Sequence, residues 1–194
     1  MPDLRGHGRS AKPHDAACHP PDVLAEDGLA LLDHLALDDY DLGGYSLGAR
    51  VVVRMLVRGA TPGRAVVAGQ GLREVLGLGG GAGSFLRRVF AGAGSFEPGS
   101  PQKQARQWLR SSGADPVALL HVLDSVVPTP VEPLGRIQVP TLVVIGADDE
   151  RAATADQLAA ALPQGTSAVV PGVHGTAVGT QELTAAILDF LADH

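Results

Sequence analysis

The chain has 194 residues, of which 45% are hydrophobic, so it is long and apolar enough to bury a sizeable core. Its formal net charge of −6 argues against a surface that binds the phosphates of a nucleic acid. The sequence contains no apolar run of the roughly 20 residues that a membrane-spanning helix needs, which argues against a membrane partner. Its single cysteine, Cys18, excludes an internal disulfide framework and fits a cytoplasmic, reducing environment.

Helices and strands alternate in the first third of the predicted structure. A helix begins near Asp22, and a short strand is predicted over 40–43. The apolar run after Ser46 carries an arginine at every fourth position, which predicts one polar stripe on a mostly buried helix that ends at Gly59. The apolar residues 65–68 then predict a second strand.

After residue 70 the composition of the sequence changes, and the alternation of strands and helices returns near residue 138. Residues 71–137 hold a glycine-rich stretch, several short helical segments and closely spaced prolines. Apolar strands are predicted over 141–146 and 167–171, with a helix over 152–162 between them, and an amphipathic helix ends the chain.

This order of elements predicts an α/β fold. Continuously apolar strands that alternate with helices are typical of a parallel sheet covered on both faces. We therefore predict a core built from residues 1–70 and 138–194, with residues 71–137 inserted between two strands as a helical cap. Insertions at the carboxyl edge of such a sheet commonly lie over the ligand crevice.

The sequence Gly44-Tyr45-Ser46-Leu47-Gly48 fits the pattern G-x-S-x-G between a predicted strand and a predicted helix. In that context the pattern indicates a sharp turn that exposes the serine hydroxyl as a nucleophile. The backbone N–H of Leu47 would then lie at the helix N-terminus, where it could bind the negative oxygen that develops on a substrate carbonyl.

A serine nucleophile needs a histidine base. Beyond Ser46 the sequence offers only His121, His174 and His194. His121 falls within the inserted helices and His194 is the last residue, whereas His174 follows the last predicted strand at the carboxyl edge of the sheet. We therefore predict His174 as the base.

The histidine in turn needs a carboxylate, which in hydrolases with such a serine turn lies between the serine and the histidine in the chain. The segment after the strand 141–146 supplies three candidates, namely Asp148, Asp149 and Glu150. The residues alone do not choose among them.

Two other groups of side chains raise alternatives. The spacing of His7, His14, Cys18 and His19 matches no zinc pattern, so we predict no metal and no cofactor. The aromatic residues of the insertion could line a substrate pocket or form the insertion's own small core; they are Phe85, Phe90, Phe96 and Trp108.

Four segments together resemble the α/β-hydrolase superfamily, and the resemblance runs over nearly the whole chain. DLRGHGRS is similar to the turn after that family's fourth strand, and GGYSLG is similar to its nucleophile elbow. VPTLVVIGADD is similar to the family's seventh strand with its acid, and VPGVHG is similar to its histidine loop. In the family the acid stands three residues after the glycine of that strand, which selects Asp149. The histidine loop departs from the pattern in having one residue fewer between Pro-Gly and His174.

The resemblance also implies that strands are missing at the start. In the family, DxRGHGxS follows most of four strands, whereas here it begins at Asp3. We therefore expect an N-terminally truncated sheet, without the loop that usually supplies a second oxyanion donor, and with the strand before Ser46 at an open edge. Such an edge is prone to pair with another chain, which leaves a homodimer open.

The function that these residues and the resemblance imply is hydrolysis of a carboxylic ester or related acyl bond in a small molecule, in the class EC 3.1.1. Ser46, His174 and Asp149 would form the catalytic triad, with Leu47 as an oxyanion donor. Lactonase, thioesterase, carbon–carbon bond hydrolase and cofactor-free haloperoxidase activities stay open. The alternative is a catalytically impaired fragment or pseudo-hydrolase that has only a binding role.

Overall fold

The computed structural model describes residues 1–79, 81–90 and 96–192. The described residues fall into two compact units. One comprises Met1–Asp27 with Gly80–Val127, and the other comprises Gly28–Gly79 with Pro128–His194. The sequence-based division into residues 1–70 with 138–194 and an insertion of 71–137 stays a prediction.

The second unit contains a parallel four-stranded sheet in the order β1-β2-β3-β4. Its strands are β1 (Leu42–Tyr45), β2 (Ala65–Ala68), β3 (Thr141–Gly146) and β4 (Gly165–Val170). An α/β architecture with a parallel sheet was predicted, and it is confirmed. Strands β2 and β3 lie where the sequence predicted them, whereas β1 is shifted two residues toward the C-terminus and β4 begins two residues earlier.

Helices lie before, between and after these strands, and they agree with the predicted alternation in most places. They are α1 (Val23–Leu35), α2 (Leu47–Val57), α3 (Leu72–Val75), α7 (Val131–Leu134), α8 (Ala155–Ala160), α9 (His174–Ala177) and α10 (Gln181–Ala192). The single helix predicted over 152–162 is instead a 3₁₀ turn, Glu150–Thr154, followed by α8, because the side chain of Asp149 caps the N–H of Arg151 and starts the turn early. The four-residue helices α3, α7 and α9 were not predicted.

The central strands β2 and β3 are buried on both faces, as is typical of a parallel sheet. Alternate side chains point to opposite faces. On one face Val67, Val143 and Ile145 pack with residues of α2 and α8, such as Val53 and Leu158. The side chains on the other face pack with α9 and α10 and include Val66, Ala68, Leu142, Val144, Ala177 and Leu183. The packing of these two cores holds the strands in register, and the ends of the strands therefore have fixed positions.

The first unit is helical in the segment that was predicted as a cap. Its helices are α4 (Gly81–Phe90), α5 (Pro101–Ser111) and α6 (Pro116–Ser125). Phe85 and Phe90 pack against the small buried cluster of Val89, Leu109 and Leu119, so these two aromatic residues belong to the core of this unit. Among the described residues, no helix is both long enough and apolar enough to cross a bilayer.

Candidate active site

The predicted residues Ser46, Asp149 and His174 lie at the carboxyl edge of the sheet, together with Gln70, which was not predicted. Because all four strands are parallel, the loops that leave them meet at one edge. Ser46 follows β1, Gln70 follows β2, Asp149 follows β3 and His174 follows β4. All four residues lie in the second unit.

Ser46 occupies a strained turn between β1 and α2. Its backbone has φ 55° and ψ −112°, a region that side chains rarely adopt outside functional turns. Its N–H donates to the carbonyl of Ala68 on β2 (2.9 Å), and its carbonyl accepts a hydrogen bond from Nε2 of Gln70 (3.0 Å). These bonds to the neighbouring strand and loop hold the turn in place.

Leu47 is the first residue of α2. The first N–H groups of an α-helix have no partner within the helix, and they carry the positive end of its dipole. The helix itself therefore supplies no hydrogen-bond partner for the N–H of Leu47, the residue that follows Ser46.

His174 bridges Ser46 and Asp149. Its Nε2 lies 2.9 Å from the Oγ of Ser46, 128 residues away, and its Nδ1 lies 2.7 Å from Oδ2 of Asp149. The sequence predicted a loop here, whereas the structure makes His174 the first residue of α9. A turn with Gly172 at φ 104° leads into this helix.

Two backbone hydrogen bonds fix the acid loop beside the histidine loop. The N–H of Ala147 donates to the carbonyl of Val170 (2.7 Å), and that of Asp148 donates to the carbonyl of Gly172 (3.1 Å). The next residue, Asp149, is buried and turned toward His174, whereas Asp148 is exposed. This geometry places Asp149, the acid that the resemblance selected, next to the base.

The electrostatic environment keeps Asp149 ionised. Burial of its carboxyl group opposes ionisation, but the hydrogen bonds from the Arg151 N–H, from His174 and from the Arg151 guanidinium outweigh it, so the pKa of Asp149 is lowered. A carboxylate only accepts hydrogen bonds, so Nδ1 of His174 must carry the proton. In the neutral imidazole, Nε2 is then the acceptor that faces Ser46.

The other two candidate histidines have different positions. Nε2 of His121, in α6, lies 3.0 Å from the carbonyl of His14 within the first unit. His194 lies outside the described residues. Within the part of the chain that the structure describes, no group of three or more His, Cys, Asp or Glu residues could hold a metal ion.

Three further residues support this arrangement and were not predicted from the sequence. Tyr45 donates its hydroxyl proton to the carbonyl of His174 (2.6 Å), with ring centroids 5.3 Å apart, and burial raises the pKa of Tyr45. Gln70 contacts the carbonyl of Ser46, and Arg151 pairs with Asp149. Tyr45 and Arg151 adjoin predicted site residues in the chain, but a position next to a site residue does not show where a side chain points.

Several solved structures resemble this chain. A hydrolase from Pseudomonas aeruginosa PA01 is 26% identical with a TM-score of 0.73, over 97% of this chain and 77% of that one. A bromoperoxidase from Bacillus anthracis is 24% identical with a TM-score of 0.70, over 98% and 80%. An enol-lactonase from Burkholderia xenovorans LB400 is 20% identical with a TM-score of 0.72, over 98% and 79%.

No curated protein matches the chain. The family model described as "Alpha/beta hydrolase family" matches residues 1–180. That match covers the serine turn, the acid loop and the histidine loop, so the resemblance seen in the sequence is confirmed and the chain belongs to the α/β-hydrolase family.

Proposed function

We propose that this chain is a serine hydrolase that cleaves a carboxylic ester or a related acyl bond of a small molecule. The observation that carries the proposal is the continuous chain of hydrogen bonds from Ser46 through His174 to Asp149, with separations of 2.9 and 2.7 Å. Both lie within the range for a nucleophile paired with its base and a base paired with its orienting acid.

In the proposed reaction the Oγ of Ser46 attacks the substrate carbonyl while Nε2 of His174 takes its proton. The oxygen of the tetrahedral intermediate becomes negative, and the N–H of Leu47 binds it. The carbon–oxygen bond to the leaving alcohol breaks as His174 gives that alcohol its proton, which leaves an acyl group on Ser46.

Water then attacks the acyl group, with His174 again as the base, and the acid product leaves as the serine regains its proton. Asp149 holds the imidazole with Nε2 facing Ser46 and stabilises the imidazolium that forms in each step. In this scheme the chain's own residues make every proton transfer.

The choice of ester cleavage rests on the residues of the site and not on the similar structures. The similar bromoperoxidase and enol-lactonase are less than 25% identical to this chain, so their likeness shows the fold alone. Ester cleavage is proposed because the site offers a serine, a base and an oxyanion donor.

A cytoplasmic location and a homodimer through the open edge of β1 also stay predictions, and sedimentation velocity tests the dimer.

The test combines labelling by a fluorophosphonate probe with hydrolysis of p-nitrophenyl butyrate. We expect the wild-type chain to react with both, the Ser46→Ala variant with neither, and the Ser167→Ala variant, which alters an exposed serine of β4, to behave as wild type. Labelling that survives in Ser46→Ala would overturn the assignment of the nucleophile. A wild-type chain that neither labels nor turns over substrate would favour the alternative, a pseudo-hydrolase that only binds.

A further inference from the structure

Arg151 lies against the carboxylate of Asp149 on the side away from His174. Its Nη1 donates to Oδ1 of Asp149 (2.9 Å), and its backbone N–H donates to the same oxygen (3.1 Å). The other oxygen, Oδ2, accepts from Nδ1 of His174. Four groups are therefore connected in sequence, from the Arg151 guanidinium through Asp149 and His174 to Ser46.

The burial of this pair distinguishes it from an ordinary surface ion pair. The side chain of Asp149 is 0% exposed and that of Arg151 is 12% exposed. A buried carboxylate without a compensating partner is strongly unfavourable, and at this depth water screens a neighbouring charge weakly. The charge of Arg151 therefore acts on the carboxylate of Asp149, whose other oxygen faces the imidazole of His174.

We propose that Arg151 is a positioning residue that holds the Asp149 carboxylate toward His174 and sets the lower pH limit of catalysis. The role is separate from that of the triad, because Arg151 contacts Asp149 and acts on His174 through it. The proposal rests on the proposed function for its catalytic consequence, but the geometry of the pair is independent of any activity.

The direction of the effect follows from charge. A carboxylate beside His174 favours the protonated imidazole, and the positive guanidinium offsets part of that effect. Removing the guanidinium charge should therefore keep His174 protonated to a higher pH. The proposed mechanism needs His174 as a neutral base. The acid limb of the curve of kcat/KM against pH should therefore move to higher pH.

Few other ionisable groups face this pair in the part of the chain that the structure describes. From β1, the hydroxyl of Tyr45 bonds to the carbonyl of His174, and from the turn after β1 the Oγ of Ser46 bonds to Nε2. The exposed carboxylate of Glu150 lies 3.9 Å from Nη2 of Arg151. Gly69, just after β2, lies against His174 and carries no ionisable side chain.

The test uses two variants of the same residue. Arg151→Gln removes the charge and keeps a side chain that can donate to Oδ1, whereas Arg151→Lys keeps the charge. The backbone N–H at position 151 is present in both. Arg136→Gln, which removes an exposed arginine paired with Glu132, is the matched control.

Two measurements follow the effect. The first is kcat/KM for p-nitrophenyl butyrate between pH 4 and 9. The second is the titration of the His174 imidazole by NMR, assigned by comparison with the spectrum of His174→Gln, which needs no turnover. We expect Arg151→Gln to move the midpoints of both curves upward by about one pH unit, with Arg151→Lys and Arg136→Gln close to wild type.

The outcomes separate this inference from the proposed function. Unmoved midpoints in Arg151→Gln would overturn the inference, even if the rate fell, because such a fall would reflect structure alone. A shift in the NMR titration with no turnover in any variant would support the charge coupling and overturn the proposed hydrolysis. An equal shift in Arg136→Gln would show a general charge effect and would also overturn the inference.

Discussion

A side-chain carbon added at Gly44 would clash with the carbonyl group of Gly48. The two glycines lie on opposite sides of Ser46, each two residues away in the sequence. A Cβ at Gly44 would also meet the backbone N of Ala49 at 2.7 Å. A Cβ at Gly48 would meet no atom within 4 Å. Only the first glycine of the G-x-S-x-G pattern is therefore required by close packing of the turn.

The two glycines should respond differently to substitution. Gly44→Ala should reduce the free energy of unfolding by about 1–3 kcal/mol or more, because backbone atoms would have to move. Gly48→Ala should leave stability unchanged or raise it by up to about 1 kcal/mol, because Gly48 lies inside α2, where alanine is the better helix former. Urea unfolding of the two variants checks this, and an equal loss in both would contradict it.

The adjacent acids Asp148 and Asp149 should have unequal effects on the rate. Asp149→Asn should lower kcat by about 10³–10⁴-fold, because an amide can donate to Nδ1 and favour the wrong tautomer of His174. Asp148→Asn should have little effect, because this side chain is exposed. Hydrolysis of p-nitrophenyl butyrate by the two variants makes the comparison, and a larger loss in Asp148→Asn would assign the acid differently.

Asp149 should also make the stability of the fold depend on pH. Its pKa in the folded chain is lowered, and the unfolded value is about 3.9. A lowered folded pKa gives stability that is fully present above the unfolded pKa and is lost as pH falls through the folded pKa. The wild-type free energy of unfolding should therefore fall more steeply below about pH 4 than that of Asp149→Asn. Urea unfolding from pH 7 downward measures both slopes, and parallel curves would contradict the prediction.

The Tyr45 hydroxyl should contribute to the position of His174. Tyr45→Phe removes the 2.6 Å hydrogen bond to the His174 carbonyl and keeps the ring that packs against the imidazole. We expect a loss of about 0.5–1.5 kcal/mol in unfolding free energy, together with a lower kcat. Tyr40→Phe, at the protein's other tyrosine, is the control. Unchanged stability and rate in Tyr45→Phe would show that the ring contact alone positions His174.

Local patterns in the sequence determined most of the regular structure. The apolar runs that became β2 and β3 have the residue types and lengths of buried strands, and their boundaries matched the prediction. The helix after Ser46 was identified from its periodic arginines, and it ends at Val57, two residues before the predicted end at Gly59. Each of these signals lies within one element, where neighbouring residues decide the backbone conformation.

Short and capped segments were less predictable. Helix α9 has four residues, which is too short for a periodic pattern, so the start of a helix at His174 was not foreseen. The 3₁₀ turn before α8 depends on the side chain of Asp149, which also bonds to His174. Both segments are shaped by contacts with distant parts of the chain.

The sequence by itself determined the strand–helix alternation, the serine turn and the order of serine, acid and histidine. The resemblance to a known family selected Asp149 from three neighbouring acids, whereas only the tertiary structure decided that Arg151 pairs with Asp149 and that Tyr45 packs on His174. The reason is physical: a side chain's partners across the carboxyl edge depend on the register of four parallel strands and on the paths of their loops. Those are fixed only when the two cores pack on the sheet.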